Sequence, residues 1–519
     1  MRAGRLLLCA LSLATTGLTP AAVPAHPSHA NAQQCALPEG SLPAGVVLHA
    51  ASMIEPADAW HSPSSLTSPQ GEAVRASFCR LEGAIDGDIG FEIWLPRDWN
   101  GRLLSAGVGG EAGYFNYADM ARGIEQGFAT ATSDTGHKRG EPWIAEPRRA
   151  ENYAHLAYHR LTEVVKATIA AFYGEGPAYS YFIGCSGGGR QALRELQLYP
   201  DDYDGALVGA PGLDVPLLAA RLLHVHLQQA RTPGAALSLE DWNLVADAAV
   251  RQCDADDGLH DGIIGDPRTC GFRVRQLECS GSKTKSCLSA EQVATAEAII
   301  APLTDTAGRA YDFGLLPGIT ARPGGLPALP VQMFGEVVHG DPQWDPRSFD
   351  LARDLAAARA AFPSMDARST DLRAFANRNG KLILYHGWAD ASVQPLSTID
   401  WFDRLEPDRN GFARLYMVPG MQHCRGGAGT DHFGASEDRS PTSDPRSDML
   451  AALIAWVENG AAPGSMMARR LDGQGVTERT RPLCPYPMSI KYLGGSPDDA
   501  MSFTCINNQS AGSQDPEPT

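Results

Sequence analysis

The sequence predicts an α/β fold built on a mostly parallel sheet and interrupted by an inserted domain. Three observations carry that reading. Between about residues 75 and 212, short apolar runs alternate with stretches of helical apolar spacing, as happens when strands and helices succeed one another around a parallel sheet. The alternation fades over 213–374 and returns from residue 375. One apolar-to-helical junction, YFIGCSGGGRQAL (Tyr181 to Leu193), carries Gly184-Cys185-Ser186-Gly187-Gly188, a G-x-S-x-G pattern in strand–turn–helix context.

Taken in order, the chain opens with Arg2 and Arg5 before the apolar run Leu6 to Ala14, and Ala30-Asn31-Ala32 is a small-residue cleavage pattern. Residues 1–32 are therefore read as an export signal, and the protein is expected to be secreted or periplasmic. The run is too short for a stable bilayer anchor, and no other stretch is long and apolar enough, so no membrane anchoring is expected. Of 11 cysteines, Cys9 lies in the signal. The even number remaining points to a disulfide framework in an exported chain, and no CxxC or zinc-type His/Cys spacing competes with it.

Residues 33–212 form the first part of the α/β domain. GFEIWLP, GRLLSAG and GFATATSD read as strands, HLAYHRLTEVVKATIAAFYG as a helix ending at Gly174, YSYFIGCS as a strand, GRQALRELQLYP as a helix and YDGALVGAP as a strand. The insertion, 213–374, holds the helix-like LEDWNLVADAAVRQ and SAEQVATAEAIIAPL among Pro/Gly-rich loops, with four cysteines. The second part, 375–506, resumes with GKLILYHGWAD, LSTIDWFDRLE, FARLYMVPGMQHC and DMLAALIAWVENG, and 507–519 reads as a disordered tail. A formal charge of −17 with no Lys/Arg-rich run disfavours nucleic acid and anionic membrane surfaces as partners.

Two nucleophiles, Cys185 and Ser186, stand side by side at the junction. Small neighbours let the chain turn tightly enough to present a serine at the sheet edge. Such a serine needs a base and an orienting acid, found in the chain order Ser, Asp/Glu, His. LILYHGWADASVQP ends an apolar strand in Asp390, and LYMVPGMQHC leads into a loop carrying His423. Asp390 would fix the tautomer of His423, and His423 would take the proton of Ser186. His386, mid-strand, reads as packing or support for the acid. The backbone N–H of Gly187 would face a developing oxyanion, with a second donor from Gly109 or Gly110 in LLSAGVGGEAGY. Cys185 precedes Ser186 and Cys424 follows His423, so if serine and histidine meet, their neighbours can form a disulfide. That makes Ser186 the nucleophile.

In the insertion, CDADDGLHDGIIGDPRTC clusters carboxylates with Gly258 and Gly262, a composition that suits a hard cation. It is not an EF-hand, and on spacing alone a solvated acidic turn is an equal reading.

The CSGGGR pattern, with Asp390 and the distant His423-Cys424, resembles the tannase/feruloyl esterase family, which includes feruloyl esterases, tannases and mono(2-hydroxyethyl) terephthalate hydrolase. NGRLLSAGVGG, SDTGH, YPDDYDGALVGAP and the Cys-rich insertion extend the likeness over nearly the whole exported chain. The resemblance implies an α/β-hydrolase fold with an inserted lid, and a Ser-His-Asp acyl-enzyme mechanism with a disulfide-bridged triad. It also implies a structural Ca2+ held by Asp254, Asp257 and Asp261 and by the carbonyls of Leu259 and Ile263, with no organic cofactor. It implies Cys253–Cys270, Cys35–Cys79, Cys279–Cys287 and Cys484–Cys505 as further disulfides.

The expected substrate is a small-molecule or plant-polymer aryl ester of hydroxycinnamate or gallate type. A phthalate-type monoester or an acetyl ester is the alternative. A secreted calcium-dependent binding protein on the same scaffold is the reading from another class, and the presence of Ser186, Asp390 and His423 together argues against it. Asp134 and His137 of SDTGH are expected to support the serine turn. Trp242, Phe334 and Trp344 are read as insertion core rather than substrate contacts.

Overall fold

The apolar runs become strands whose two faces are both covered, and this is why they lack a polar alternation. In the computed structural model, which describes residues 35–56, 58–320, 325–406 and 408–507, nine strands form one sheet. They are β1 (Val46–Ile54), β2 (Phe78–Ile85), β3 (Ile89–Pro96), β4 (Arg102–Ala106), β5 (Ala129–Ser133), β6 (Tyr179–Cys185), β7 (Gly205–Gly209), β8 (Lys381–Gly387) and β9 (Ala413–Val418). Their order is β1-β2-β3-β5-β4-β6-β7-β8-β9. The first three joins after β1 are antiparallel, and from β5 to β9 every pairing is parallel. Residues 1–32, read above as an export signal, and 508–519, read as a disordered tail, lie outside the described residues.

Strand periodicity divides the core in two. Leu103, Phe182, Val208 and Leu384 point to one face, where helices α2 (Ala157–Tyr173) and α3 (Gly187–Leu198) pack. Leu104, Ile183, Leu207 and Ile383, the alternate positions, point to the other face, where Leu450, Leu453 and Trp456 of the helix Met449–Asn459 cover them. Helix α2 stops at Gly174, whose φ of +87° carries its N–H back to the Ala170 carbonyl. The sequence reading starts this helix at His155; the structure instead has a π-turn over Asn152–Leu156 before α2.

The chain leaves the sheet at β7 and returns as β8 directly beside it, Lys381 opposite Gly205. Between them, α4 (Val215–Gln229), α5 (Leu239–Cys253) and α6 (Ala290–Ile300) add no strand to the main sheet. Trp242, Val245, Phe272, Val293 and Ile299 form a separate small core there. Phe334 and Trp344 join the main core, packed with Phe349. After Met449–Asn459 come two hairpins, β10 (Met466–Leu471) with β11 (Thr477–Leu483) and β12 (Met488–Tyr492) with β13 (Phe503–Asn507).

The sequence reading does not identify β1, β2 or the hairpins. β1 (VVLHAASMI) lies ahead of the alternating stretch, and His49 and Ser52 interrupt its apolar run on an edge strand with no fully buried residue, so it does not stand out.

One buried ion pair joins distant parts of the chain. Arg122, in the helix Tyr117–Glu125, donates to the Gly434 and Ala435 carbonyls (2.9 Å each) and to Asp448 Oδ1 (2.7 Å). Both side chains are nearly solvent-free. Arg122→Met should destabilise the fold by about 3–5 kcal/mol, because Asp448 is left buried without its cation. Urea unfolding measures this, and a loss under about 1 kcal/mol would contradict the pairing.

Candidate active site

The serine turn is strained in the way its residues permit. Ser186 has φ +62° and ψ −120°, a region that side chains rarely occupy, directly between β6 and α3. Its N–H donates to the Gly209 carbonyl (2.9 Å) and its carbonyl accepts from Arg190 N (3.0 Å), so the conformation is imposed from both sides. Small residues are required here by close approach. A Cβ on Gly184 would come within 2.7 Å of the Gly188 backbone, and one on Gly187 within 2.8 Å of the Gly110 carbonyl.

Asp390 follows β8 and is buried. Its Oδ2 accepts from His423 Nδ1 at 2.7 Å and from His386 Nε2 at 3.1 Å, while Oδ1 accepts from the N–H groups of Ser392 (2.7 Å) and Val393 (3.0 Å). Burial by itself would raise this carboxyl; the hydrogen bonds from His386 and His423 outweigh it and hold the group well below the usual carboxylate range. With Nδ1 bonded to the acid, His423 keeps Nε2 without a partner among the described residues. His386 does support the acid, and Thr398 Oγ1 at 2.9 Å holds its other nitrogen.

Cys185 and Cys424 form a disulfide with a Cα–Cα distance of 6.0 Å, which ties the serine turn to the histidine loop. The remaining disulfides among the described residues are Cys35–Cys79, Cys253–Cys270, Cys279–Cys287 and Cys484–Cys505, the pairings that the resemblance implies.

The loop after β4 lies against the turn, and the structure separates its two glycines. Gly109 N donates to the Tyr114 hydroxyl (3.0 Å), so that amide is already engaged. Gly110 N has no partner among the described residues. Three contacts clamp this loop: the Tyr153 hydroxyl on the Gly110 carbonyl (3.0 Å), His137 Nε2 on the Glu111 carbonyl (2.8 Å) and Gln191 Oε1 on Val108 N (2.9 Å). Arg190, fully buried, in turn donates to the carbonyls of Tyr153 (2.8 Å) and Ala154 (2.7 Å) and lies over the Tyr153 ring. Helix α3 thus positions the glycine loop through Arg190 and Tyr153.

Asp134 and His137 do not support the serine turn as expected. His137 serves the glycine loop. Asp134 accepts from Gly90 N and Gly136 N (2.9 Å each) and from Lys138 Nζ (2.6 Å), so it fastens the end of β5 to β3. The motif shows two polar residues at a strand end, but their partners come from other segments. Tyr114, Tyr153 and Gln191 carry no motif of their own and were not legible.

In the insertion, Asp254 Oδ1 accepts from the N–H groups of Asp261, Gly262 and Ile263 (3.0–3.2 Å), and Asp261 pairs with Arg481 of β11. Burial first, and then the charges of Asp261 and Asp254, push the Asp257 carboxyl up to about 6, against a hydrogen bond from Leu259 N. Three crowded carboxylates, of which only Asp261 is paired with guanidinium groups (Arg481 and, at 3.7 Å, Arg479), in a loop turned by Gly258 (φ +88°) and Gly262 (φ +79°), are a donor set that fits a hard divalent cation.

The family profile described as "Tannase and feruloyl esterase" matches residues 71–316 and 333–506. The probable feruloyl esterase B of Aspergillus clavatus is 34% identical over 472 residues, covering 86% of this chain and 89% of that protein. Mono(2-hydroxyethyl) terephthalate hydrolase of Piscinibacter sakaiensis is 32% identical over 556 residues, covering 88% and 89%. The crystal structure of feruloyl esterase B from Aspergillus oryzae matches with a TM-score of 0.81 at 27% identity, over 89% of this chain and 97% of that one.

The two imidazoles on Asp390 have a consequence for acid stability. A carboxyl held below its ordinary pKa of about 3.9 contributes stability that is fully present above that value and is lost as pH falls through the depressed one. Asp390→Asn should therefore flatten the part of the stability–pH curve below about pH 4, followed by chemical unfolding. An acid limb identical to that of the parent protein would contradict the linkage.

Proposed function

The chain belongs to the tannase and feruloyl esterase family and is a serine carboxylic ester hydrolase, and we propose that Ser186, His423 and Asp390 are its catalytic triad. The observation that carries the assignment is the 2.7 Å contact of His423 Nδ1 with buried Asp390, on a loop bonded through Cys424 to the residue before Ser186. Ser186 Oγ attacks the ester carbonyl carbon while His423 Nε2 takes its proton. Asp390 holds the tautomer that leaves Nε2 basic and stabilises the imidazolium. The N–H groups of Gly187 and Gly110 face the oxyanion, a modification of the expectation that left Gly109 and Gly110 equal. His423 then returns the proton to the leaving alcohol, and water attacks the acyl-enzyme by the same route in reverse, releasing the acid and free Ser186.

The substrate is an aromatic ester of the hydroxycinnamate or gallate type. This rests on the relatives' names, feruloyl esterase B above all. The terephthalate hydrolase supports a phthalate-type monoester as the second reading. Five disulfides among the described residues support an exported protein. Asp254, Asp257 and Asp261, with the Leu259 and Ile263 carbonyls, would hold a structural Ca2+ that braces the insertion against β11.

Ser186→Ala should lose about 10^4-fold or more of kcat/KM on methyl ferulate while keeping its unfolding midpoint. Retained turnover would overturn the triad, as would failure of a fluorophosphonate probe to label the folded protein. A panel of methyl ferulate, methyl gallate, a terephthalate monoester and p-nitrophenyl acetate ranks the acyl groups.

Chelation with EGTA should lower the melting temperature while leaving kcat of the still-folded enzyme within about twofold, because the acidic loop contributes no group to the triad. An unchanged melting temperature would return the loop to a solvated acidic turn.

A further inference from the structure

On the face of the sheet covered by α2 and α3, away from the catalytic loops, three polar side chains converge without a role in ester hydrolysis. His159 comes from the first turn of α2, Glu195 from the last turns of α3, and Asp202 from the loop before β7. One ligand-capable atom of each lies within 4.8 Å of the other two. His159 Nδ1 is already 2.7 Å from Asp202 Oδ2, and its ring is stacked on Tyr199 with centroids 3.6 Å apart.

Glu195 makes this more than a surface cluster. It is 1% exposed, and its Oε2 has no hydrogen-bond partner among the described residues. A buried carboxylate oxygen without a donor or cation is costly. Neither nearby cation bonds Glu195: Lys166 Nζ bonds the Asp202 carbonyl (2.5 Å) and Arg194 Nη1 bonds Gln197 Oε1 (2.9 Å). Burial first, and then the charge of Asp202, push the Glu195 carboxyl well above the ordinary range.

We propose that His159, Glu195 and Asp202 form a binding site for a divalent transition cation of the zinc class, distinct from the acidic loop of the insertion. One imidazole nitrogen with two carboxylate oxygens is a borderline donor set, whereas Ca2+ takes oxygen alone. Tetrahedral bonds of about 2.1 Å would set the donor atoms about 3.4 Å apart, wider than the 2.7 Å between His159 and Asp202 and inside the 4.8 Å within which all three lie. The His159 and Asp202 side chains are 24% and 14% exposed, which leaves solvent access for an ion and a completing water. Bound there, the ion would fasten α2 to the C-terminal end of α3, the helix that begins at Ser186.

The test uses the full exported chain, stripped with chelator and resaturated with Ca2+ so that the acidic loop is occupied. Zn2+ is then titrated calorimetrically in parent protein, His159→Asn, Glu195→Gln and the control His260→Ala. Parent and control should bind one Zn2+ per chain, with a melting-temperature rise of about 2–3 °C at a hundredfold excess over Kd. His159→Asn and Glu195→Gln should weaken that site by at least about tenfold. His159 is partly exposed, so its variant retains the fold even if the buried Glu195 variant does not. Co2+ then serves as a second probe: visible d–d bands in the parent should vanish in His159→Asn. No Zn2+ binding by the parent, or equal binding and Co2+ bands in His159→Asn, would overturn the site.

Discussion

The active region depends on one covalent bond between two loops that the chain separates by 239 residues. Cys185 lies at the end of β6 and Cys424 in the loop after β9, with β7 and β8 between those strands in the sheet. Parallel strands bring the loops at their C-terminal ends to one edge, but an edge alone does not set side chains to within a few tenths of an ångström. The disulfide removes the relative freedom of the serine turn and the histidine loop, and Asp390 fixes the imidazole from the opposite side. In the loop-closure picture a bond over this span limits the unfolded chain by about 5 kcal/mol. A single link therefore serves both stability and alignment.

The glycine loop is held by noncovalent means, by α3 and the Tyr153 segment and, from the segment after β5, by His137. Arg190 fixes the Tyr153 segment, Tyr153 fixes the Gly110 carbonyl, and Gln191 fixes Val108. Removing Arg190 would lose both of its charge-assisted hydrogen bonds to that segment, each worth about 1.5–3 kcal/mol. The Gly110 N–H shares its peptide with the Gly109 carbonyl, which accepts from Ala112 N (3.1 Å), while Tyr114 takes the Gly109 amide. The loop's donor geometry is thus set before any substrate arrives, which is the condition for stabilising charge without reorganisation.

The insertion has its own small core but is not left to swing on its two connections. Asp261 bonds Arg481, whose guanidinium also lies 4.1 Å from the Phe503 ring centroid, so the acidic loop leans on the C-terminal hairpins. Within the insertion Arg221 pairs with buried Asp312, and the second link is Gln394, four residues after Asp390, which donates to Asp312 (2.8 Å). The insertion and the acid-bearing loop therefore share a polar seam.

Local pattern was enough for much of this protein. Alternating apolar runs determined the central strands, because a strand buried on both faces must be continuously apolar. The G-x-S-x-G turn, Asp390 at a strand end, and cysteines beside both Ser186 and His423 determined where chemistry was to be sought. Partners drawn from distant segments were decided only by the tertiary structure. It gave Asp134 to β3 and His137 to the glycine loop, separated Gly110 from Gly109 through Tyr114, and set Glu195 among His159 and Asp202. A side chain's type is local, but which unsatisfied group it meets depends on how the strands are ordered, and one sequence does not display that order.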